Sequence, residues 1–247
     1  MRIAILSDIH GNALALDAAL SDIAARGPFD QIIVAGDLVW SGPRPRDVVD
    51  RVLALRAACI RGNTDAFFDV APGDTPEGKD SDRFAAHFGW MAEQLGPERI
   101  AYLRSLPFSH RISPAPGHDL LVVHANPLDL DQPILPRAAD ADLDELLLQD
   151  GAPPSWRCLA FGHVHTPFQR VWRDRLLVNV ASVGLPMDGD PRAAYAILTW
   201  DGRAWRAEHI RVAYQTAVVA RDMRISGLPR GKHFAERLMS ASYSGVD

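Results

Sequence analysis

Short apolar runs alternate with amphipathic segments through about the first sixty residues of the chain. The runs at 3–6, 31–35 and 58–61 are typical of strands. Between them, the segments from 12 to 27 and from 45 to 57 carry apolar residues at helical spacing. This succession of strands and helices predicts a parallel sheet whose loops gather at its carboxyl edge.

The pattern changes between residues 66 and 107. Residues 71–80 are polar and contain several Gly and Pro residues, which predicts a mobile loop. Two amphipathic helices are predicted beyond it, on either side of the dipeptide at 96–97, and His87 lies beside the apolar stripe of the first. The insertion would be either a lid over the carboxyl edge or a surface excursion, and both interpretations stay open.

The second half of the chain is rich in closely spaced strands. Strands are predicted at 119–123, 158–161, 175–180, 193–200 and 204–212. Helices are predicted near 139–149, 215–224 and 232–239. Two strand-rich halves flanked by helices predict an α/β fold, a four-layer sandwich of two mixed β-sheets flanked by helices, as one domain over residues 1–247.

Composition narrows the class of protein. With 47% hydrophobic and 23% charged residues, the chain of 247 residues resembles an ordinary globular protein. The net charge of −5 argues against general nucleic-acid or anionic-membrane binding, since both need a basic surface. Cys59 and Cys158 lie in apolar runs and predict buried thiols in a reducing compartment. Without a basic leader or a long apolar window, we expect a soluble cytoplasmic protein, and the oligomeric state stays open.

Polar side chains follow the apolar runs wherever a strand is predicted to end. Asp8 and His10 come directly after the first run, and His163 and His165 repeat the spacing later. On a strand, positions i and i+2 point to the same face, so each pair would present its two side chains side by side. The complete set of polar residues at strand ends is Asp8, His10, Asp37, Asn63, His124, His163 and His165. Hard oxygen donors with imidazole nitrogens suit two neighbouring first-row dications, with one carboxylate able to bridge them.

The order of these motifs resembles that of the calcineurin-like metallophosphoesterase superfamily. The resemblance covers Asp-x-His at 8–10, Gly-Asp at 36–37, Gly-Asn at 62–63, His124 and Gly-His-Val-His at 162–165. Residues 176–197 are also similar to a stretch of small bacterial members of that superfamily. The resemblance implies a bimetal site at the carboxyl ends of the strands.

The resemblance also implies how the ligands are divided between two divalent ions. One ion would be held by Asp8, His10, Asp37 and His165. The other would be held by Asp37, Asn63, His124 and His163, with Asp37 bridging. We expect Mn²⁺ first, with Fe, Zn, Ni or Co as alternatives, because these ions all accept mixed nitrogen and oxygen ligands.

The implied reaction is hydrolysis of a phosphoester by a metal-bridging hydroxide. Asp37 and Asn63 would act catalytically through the bridging water and the phosphate. Asn12, which also suits the N-cap of the following helix, and Thr64 are predicted to contact the substrate. No side-chain nucleophile is required.

Thr64 departs from the pattern of many superfamily members, which have His at this place in the motif. Thr has no proton to give near neutral pH, so substrates with poor leaving groups should be hydrolysed slowly. We therefore predict a phosphodiesterase acting on a small phosphoester or nucleotide-like substrate. The alternatives are a nucleotide polyphosphate hydrolase or protein phosphatase and, from another class, a non-catalytic scaffold of the same fold.

Overall fold

Two five-stranded β-sheets packed face to face form the centre of the computed structural model, which describes residues 1–70, 82–148 and 151–243. In chain order the strands are β1 Arg2–Leu6, β2 Gln31–Val34, β3 Ala58–Cys59, β4 Ser109–Ile112, β5 Asp119–Val123, β6 Trp156–Phe161, β7 Phe168–Trp172, β8 Arg175–Asn179, β9 Ala193–Trp200 and β10 Trp205–Val212. The helices are α1 Ala13–Arg26, α2 Pro45–Leu55, α3 Asn63–Ala66, α4 Asp82–Ser105, α5 Asp140–Leu147, α6 Thr216–Ile225 and α7 Gly231–Ser240.

Each sheet has parallel strands at its centre and antiparallel strands outside them. The first sheet has the order β10-β9-β1-β2-β3, with β1, β2 and β3 parallel and β9 antiparallel to β1. The second has the order β4-β5-β6-β8-β7, with β5, β6 and β8 parallel. The predicted pair of mixed sheets flanked by helices is therefore confirmed.

Side chains that alternate along β1 divide the core into layers. Ile3 and Ile5 pack between the two sheets, against residues such as Val122 of β5. Ala4 and Leu6 point to the other face and pack with α1, α2 and α4. The outer face of the second sheet is covered by α5, and α6 packs with α7 in a cluster of their own. These four residues of β1 are fully buried, because helices cover one face and the second sheet the other.

Local signals account for the ends of several helices. Asn12 caps α1, since its side chain accepts a hydrogen bond from the backbone N–H of Ala15, as predicted. The segment α4 consists of two helical pieces, because Gly96 adopts φ 68° and ψ 170° before Pro97. The predicted loop at 71–80 lies outside the described residues.

Strands β4 and β7 were absent from the sequence-based expectation. Both are edge strands with mixed polar and apolar side chains, and their pairing with β5 and β8 defines them. Within the described ranges, none of the helices combines the length and apolar character that crossing a membrane requires.

Candidate metal centre

The carboxyl ends of the parallel strands bring polar residues of both sheets together. Asp8 and His10 follow β1, and His165 follows β6 of the other sheet. The Nε2 atom of His165 lies 3.1 Å from Oδ1 of Asp8 and 3.1 Å from Nε2 of His10. Residues about 155 positions apart in the sequence thus share one buried cluster.

The local geometry of these residues differs from the expectation. Asp8 and His10 do not lie on a strand with their side chains on one face, because β1 ends at Leu6. Both adopt left-handed backbone conformations, with φ 54° and 50°, and Asp37 does so with φ 53°. His163 and His165, expected to repeat the strand spacing, are left-handed as well, with φ 66° and 59°. Strained conformations of this kind cost of order 1–3 kcal/mol each and gather at functional sites.

Backbone hydrogen bonds between the loops hold these conformations in place. The amides of Ile9 and His10 both donate to the carbonyl of Asp37, at 2.9 and 3.0 Å. The amide of His163 donates to Oδ2 of Asp8 at 2.9 Å. The loops after β1, β2 and β6 are therefore fixed relative to one another by hydrogen bonds that backbone amides donate.

Asp37 lies between two groups of candidate ligands. Its Oδ2 atom is 3.5 Å from Nε2 of His10, and its Oδ1 atom is 3.5 Å from Nε2 of His124. On the His124 side, Oδ1 of Asn63 lies 3.0 Å from the same imidazole nitrogen. Among the residues that the structure describes, two sets of ligand atoms are close enough to hold an ion: Asp8 with His10 and His165, and Asp8 with Asp37 and His124.

His163 lies at the margin of the cluster. Its ring centroid is 5.2 Å from that of His124, whereas its Nε2 atom lies 2.9 Å from the backbone carbonyl of Asp131. With Nε2 directed at a carbonyl, Nδ1 is the nitrogen left for an ion. The structure brings six of the seven predicted ligands into direct mutual contact and His163 beside them.

The donors fit divalent metal ions. In His10, His124 and His165 the Nδ1 atom faces a backbone carbonyl, at 3.3, 2.9 and 2.6 Å. A proton on each Nδ1 leaves the Nε2 lone pairs directed into the cluster. The Oδ1 atom of Asp8 is buried and accepts no hydrogen bond. Such an unsatisfied carboxylate oxygen beside inward lone pairs is what a cation would complete.

Burial and mutual proximity shift the protonation of the cluster. Burial and then the charge of Asp8 raise the pKa of Asp37 to about 7. Burial followed by the charge on His165 lowers the pKa of His10 to about 3. Burial also opposes the charge on His165, but the charge and hydrogen bond of Asp8 together with Leu185 and Asp37 outweigh it and raise that pKa. A positive charge on His165 is thus stabilised where a cation would bind.

Asn12 and Thr64, the two residues predicted to contact the substrate, form hydrogen bonds within the protein. The amide nitrogen of Asn12 donates to the carbonyl of Gly184 at 2.9 Å and to the hydroxyl of Tyr214 at 3.1 Å. The hydroxyl of Thr64 donates to the carbonyl of Val39 at 3.1 Å, and its backbone amide donates to Oδ1 of Asp37 at 2.9 Å. In this arrangement Asn12 braces the loop around Gly184, and Thr64 orients the Asp37 carboxylate.

Asp65 joins two loops of the site. Its carboxylate accepts hydrogen bonds from the backbone amides of Leu38 and Gly62, both at 3.0 Å. These amides lie directly beside Asp37 and Asn63. Asp65 is fully buried, and burial followed by the charge of Asp37 raises its pKa to about 7. The residue therefore holds the loops after β2 and β3 at a fixed separation.

Sequence reasoning missed three supporting residues in the stretch 176–197. Ser182 donates from its hydroxyl to the carbonyl of Asp8 at 2.7 Å, and Asn179 donates to the carbonyl of Gly162. The carbonyl of Leu185 faces Nδ1 of His165. The available signal in the sequence was that two polar residues, Asn179 and Ser182, interrupt an apolar stretch. Both are fully buried in the structure.

Two mixed sheets flanked by helices, with an Asp and His cluster at the carboxyl ends of the strands, define a metal-dependent phosphoesterase, a hydrolase. The chain belongs to the calcineurin-like phosphoesterase superfamily, whose domain model matches residues 1–203. Helices α6 and α7 lie beyond the matched range.

Known proteins similar to the chain span nearly its whole length. It is 28% identical over 235 residues to the uncharacterized protein MJ0912 of Methanocaldococcus jannaschii, covering 86% of this chain and 87% of that protein. The crystal structure of a metallophosphoesterase from Sphaerobacter thermophilus is 31% identical, with a TM-score of 0.77 and coverage of 98% and 99%. Hypothetical protein PH1004 from Pyrococcus horikoshii OT3 shares the fold, at 22% identity, a TM-score of 0.81 and 98% coverage of both chains.

Proposed function

We propose that the protein is a phosphodiesterase that uses two divalent metal ions, with Mn²⁺ as the first choice. The observation that carries the proposal is the position of Asp37 between the inward-facing imidazoles of His10 and His124. Its two carboxylate oxygens point to different groups, which suits a bridging ligand. His10 and His165 with Asp8 would hold one ion.

The second ion would be held by the other oxygen of Asp37 together with Asn63, His124 and Nδ1 of His163. The contact of 3.0 Å between Asn63 and His124 supports this assignment. When bound, the two ions would supply positive charge for a phosphoryl group and lower the pKa of a water toward neutrality. Among the seven predicted ligands, only a protonated imidazole could carry charge of that sign.

Residues of the chain hold the metal-binding side chains in fixed orientations. The Asp37 carboxylate is held by the backbone amide of Thr64, so that it cannot turn away from the cluster. Asn63 presents its amide at the start of α3, close to where negative charge develops on the phosphate. Buried carbonyls fix the tautomers of the three inward-facing imidazoles.

Thr64 supports the preference for diesters with good leaving groups. Its hydroxyl proton is already donated to the carbonyl of Val39, so the side chain has only a lone pair to offer a substrate. A leaving group would therefore depart without a proton from this position. Aryl and phosphoanhydride leaving groups tolerate that, whereas unactivated alkoxides do not.

The proposal is tested with metal-stripped protein titrated with Mn²⁺, using bis-p-nitrophenyl phosphate and p-nitrophenyl phosphate. We expect metal-dependent turnover that favours the diester. Asp37→Asn should reduce kcat/KM by more than about 100-fold, since even supporting residues of metal sites contribute 10–100-fold. Asp50→Asn is the matched control, because Asp50 pairs with Arg99 on the surface of α2.

The opposite result is equally specific. If the protein binds Mn²⁺ but hydrolyses neither ester, nor any of a panel of cyclic and dinucleotide substrates, the proposed phosphodiesterase activity is wrong. The scaffold alternative would then be favoured, and a partner protein would be sought.

A further inference from the structure

Helix α7 packs against the segment of chain that supports His165. It shares an apolar cluster with Leu185 and Met187 of that segment. The amide of Met187 donates a hydrogen bond to the carbonyl of His165 at 3.1 Å. The amide of Gly189 donates to the carbonyl of Ala241, directly after α7, at 2.8 Å. The C-terminal half of α7 is therefore fixed beside a candidate metal ligand.

The same helix also reaches the loop that carries Asp37. Trp40 lies in this loop, three residues after Asp37, and its ring centroid is 4.2 Å from that of His87. The ring centroid of His87 is in turn 5.3 Å from that of Phe234 in α7. Because positions i and i+3 of a helix lie on one face, Arg237 shares the face of Phe234. This face of α7 thus extends from the loop after β2 to the segment after β8.

The guanidinium group of Arg237 has donors without a strong acceptor. Its Nη2 atom lies 4.0 Å from Sδ of Met187, and a thioether is a weak acceptor. Among the residues that the structure describes, no carboxylate lies at ion-pair distance from Arg237, and its buried Nε atom has no hydrogen-bond partner. Arg51 and Arg99, by contrast, each pair with an aspartate. A buried donor of a charged group without an acceptor is uncommon, and an anionic ligand would satisfy it.

Tyr243 lies between Arg237 and the charge of the metal centre. The guanidinium carbon of Arg237 is 5.2 Å from the centroid of the Tyr243 ring. Partial burial and then the charge of Asp8 raise the pKa of the Tyr243 phenol, whereas Arg237 opposes them. The carboxylate of Asp8 is thus near enough to affect the ionisation of Tyr243. Together with the contact to Met187, this places Arg237 at the margin of the cluster that contains Asp8 and His165.

We propose that Arg237 is a substrate-binding residue whose guanidinium group binds phosphoryl oxygens of the substrate at the metal centre. The planar fork of N–H donors in a guanidinium group matches two oxygens of one phosphoryl group. Met187 and Tyr243 would hold this fork in place. The inference rests on the proposed phosphodiesterase function. It adds a residue of α7, which lies beyond the matched range of residues 1–203.

The kinetic test uses inorganic phosphate as an inhibitor of bis-p-nitrophenyl phosphate hydrolysis by the Mn²⁺-loaded protein. We expect Arg237→Gln to raise the inhibition constant of phosphate and the KM of the diester by about tenfold or more, with a much smaller change in kcat. Arg237→Lys should recover part of the loss, because it keeps the charge but not the fork. A lower kcat and Tm with both constants unchanged would indicate a structural role and overturn the inference.

Arg203→Gln is the matched control. It also removes one positive charge, but from the exposed turn between β9 and β10, at the opposite end of the first sheet from the metal centre. Neither constant should change in this variant. An equal rise in both variants would show a general effect of net charge and overturn the inference. If Arg237→Gln does not fold by circular dichroism, Arg237→Met replaces it, because it keeps an apolar stem of similar length.

A binding measurement separates this inference from the proposed function. Calorimetric titration of the Mn²⁺-loaded protein with inorganic phosphate needs no turnover. We expect Arg237→Gln to weaken phosphate binding by about tenfold or more, and Arg203→Gln to leave it unchanged. Equal phosphate affinities of the wild type and Arg237→Gln would overturn the inference even in an active phosphodiesterase. Weaker binding in Arg237→Gln, in a protein that hydrolyses no ester, would instead contradict the proposed function and confirm Arg237 as an anion-binding residue.

Discussion

His10 and His165 face each other with their Nε2 atoms 3.1 Å apart. Each ring presents its Nδ1 atom to a backbone carbonyl, so the two facing nitrogens would both carry lone pairs. Two lone pairs at this distance repel unless a proton or a metal ion lies between them. Burial opposes a charge on His165, but the charge and hydrogen bond of Asp8, with smaller effects of Leu185 and Asp37, raise its pKa and so favour a proton on this imidazole.

Metal binding should therefore stabilise the folded protein. At Mn²⁺ concentrations of 100 times Kd, linkage gives ~2.7 kcal/mol, which raises Tm by roughly 5–10 °C in a chain of this size. Differential scanning calorimetry measures the shift. His165→Gln should reduce the shift by at least about half, whereas His118→Gln, at a half-buried histidine in contact with the ring of Trp200, should not. Equal shifts in all three proteins would place the ions elsewhere.

Thr64→His should raise activity on p-nitrophenyl phosphate relative to bis-p-nitrophenyl phosphate. A histidine can donate a proton near neutral pH, typically worth 10²–10⁴-fold where protonation limits the rate. Thr64→Val separates two roles, because it removes the hydroxyl bonded to Val39 but keeps the backbone amide that holds Asp37. If Thr64→His leaves the monoester to diester ratio unchanged, Thr64 does not set the preference.

Asp65→Asn should weaken the connection between the loops after β2 and β3, which the Asp65 carboxylate joins. An amide has one acceptor oxygen, so the N–H group of either Leu38 or Gly62 would lose its partner in a buried position, at about 1–3 kcal/mol. We also expect metal affinity to fall by roughly 10–100-fold, as for other supporting residues. Urea denaturation and metal titration measure the two effects. A variant with unchanged metal affinity would show that Asp65 serves folding alone.

His87 should make the protein less stable as the pH falls. Burial lowers its pKa in the folded state to about 4, below the unfolded value of about 6.5. The unfolded state therefore binds more protons between these values, and up to ~3 kcal/mol of stability is lost as the pH falls from 6.5 to 4.

Metal-free protein isolates this effect from metal release. The free energy of unfolding, measured by urea denaturation between pH 4 and 7, should depend less steeply on pH in His87→Gln than in the wild type. His233→Gln provides a control at a less buried histidine of α7. If the free energy of unfolding depended on pH equally in the wild type and in His87→Gln, the pH dependence could not be assigned to His87.

The pattern of apolar residues was sufficient to predict most of the fold, because the central strands are buried on both faces. The continuous apolar runs of β1 and β6 arise from that burial, and the break at Gly96 was visible from the Gly-Pro dipeptide. The edge strands β4 and β7 are half exposed, so their side chains follow no apolar pattern. Such strands depend on a partner that lies elsewhere in the sequence.

The composition of the metal centre could be predicted from the sequence, but its local geometry could not. Each candidate ligand follows an apolar run, and that position is visible in the sequence. The left-handed conformations of Asp8, His10 and Asp37 are stabilised by contacts between loops, and no local signal specifies them. Nor could the sequence show that Ser182 and Leu185 would support Asp8 and His165 from the connection between β8 and β9.

The backbone packs directly against the ligand carboxylates at two glycines. A methyl group added at Gly62 would overlap the carboxylate of Asp37, and one at Gly162 would overlap that of Asp8. These carboxylates consequently have no free space in which to turn. During laboratory evolution both glycine positions should be closed to every other amino acid. New metal preferences would have to arise by exchanging ligands such as His163, whose surroundings are more open.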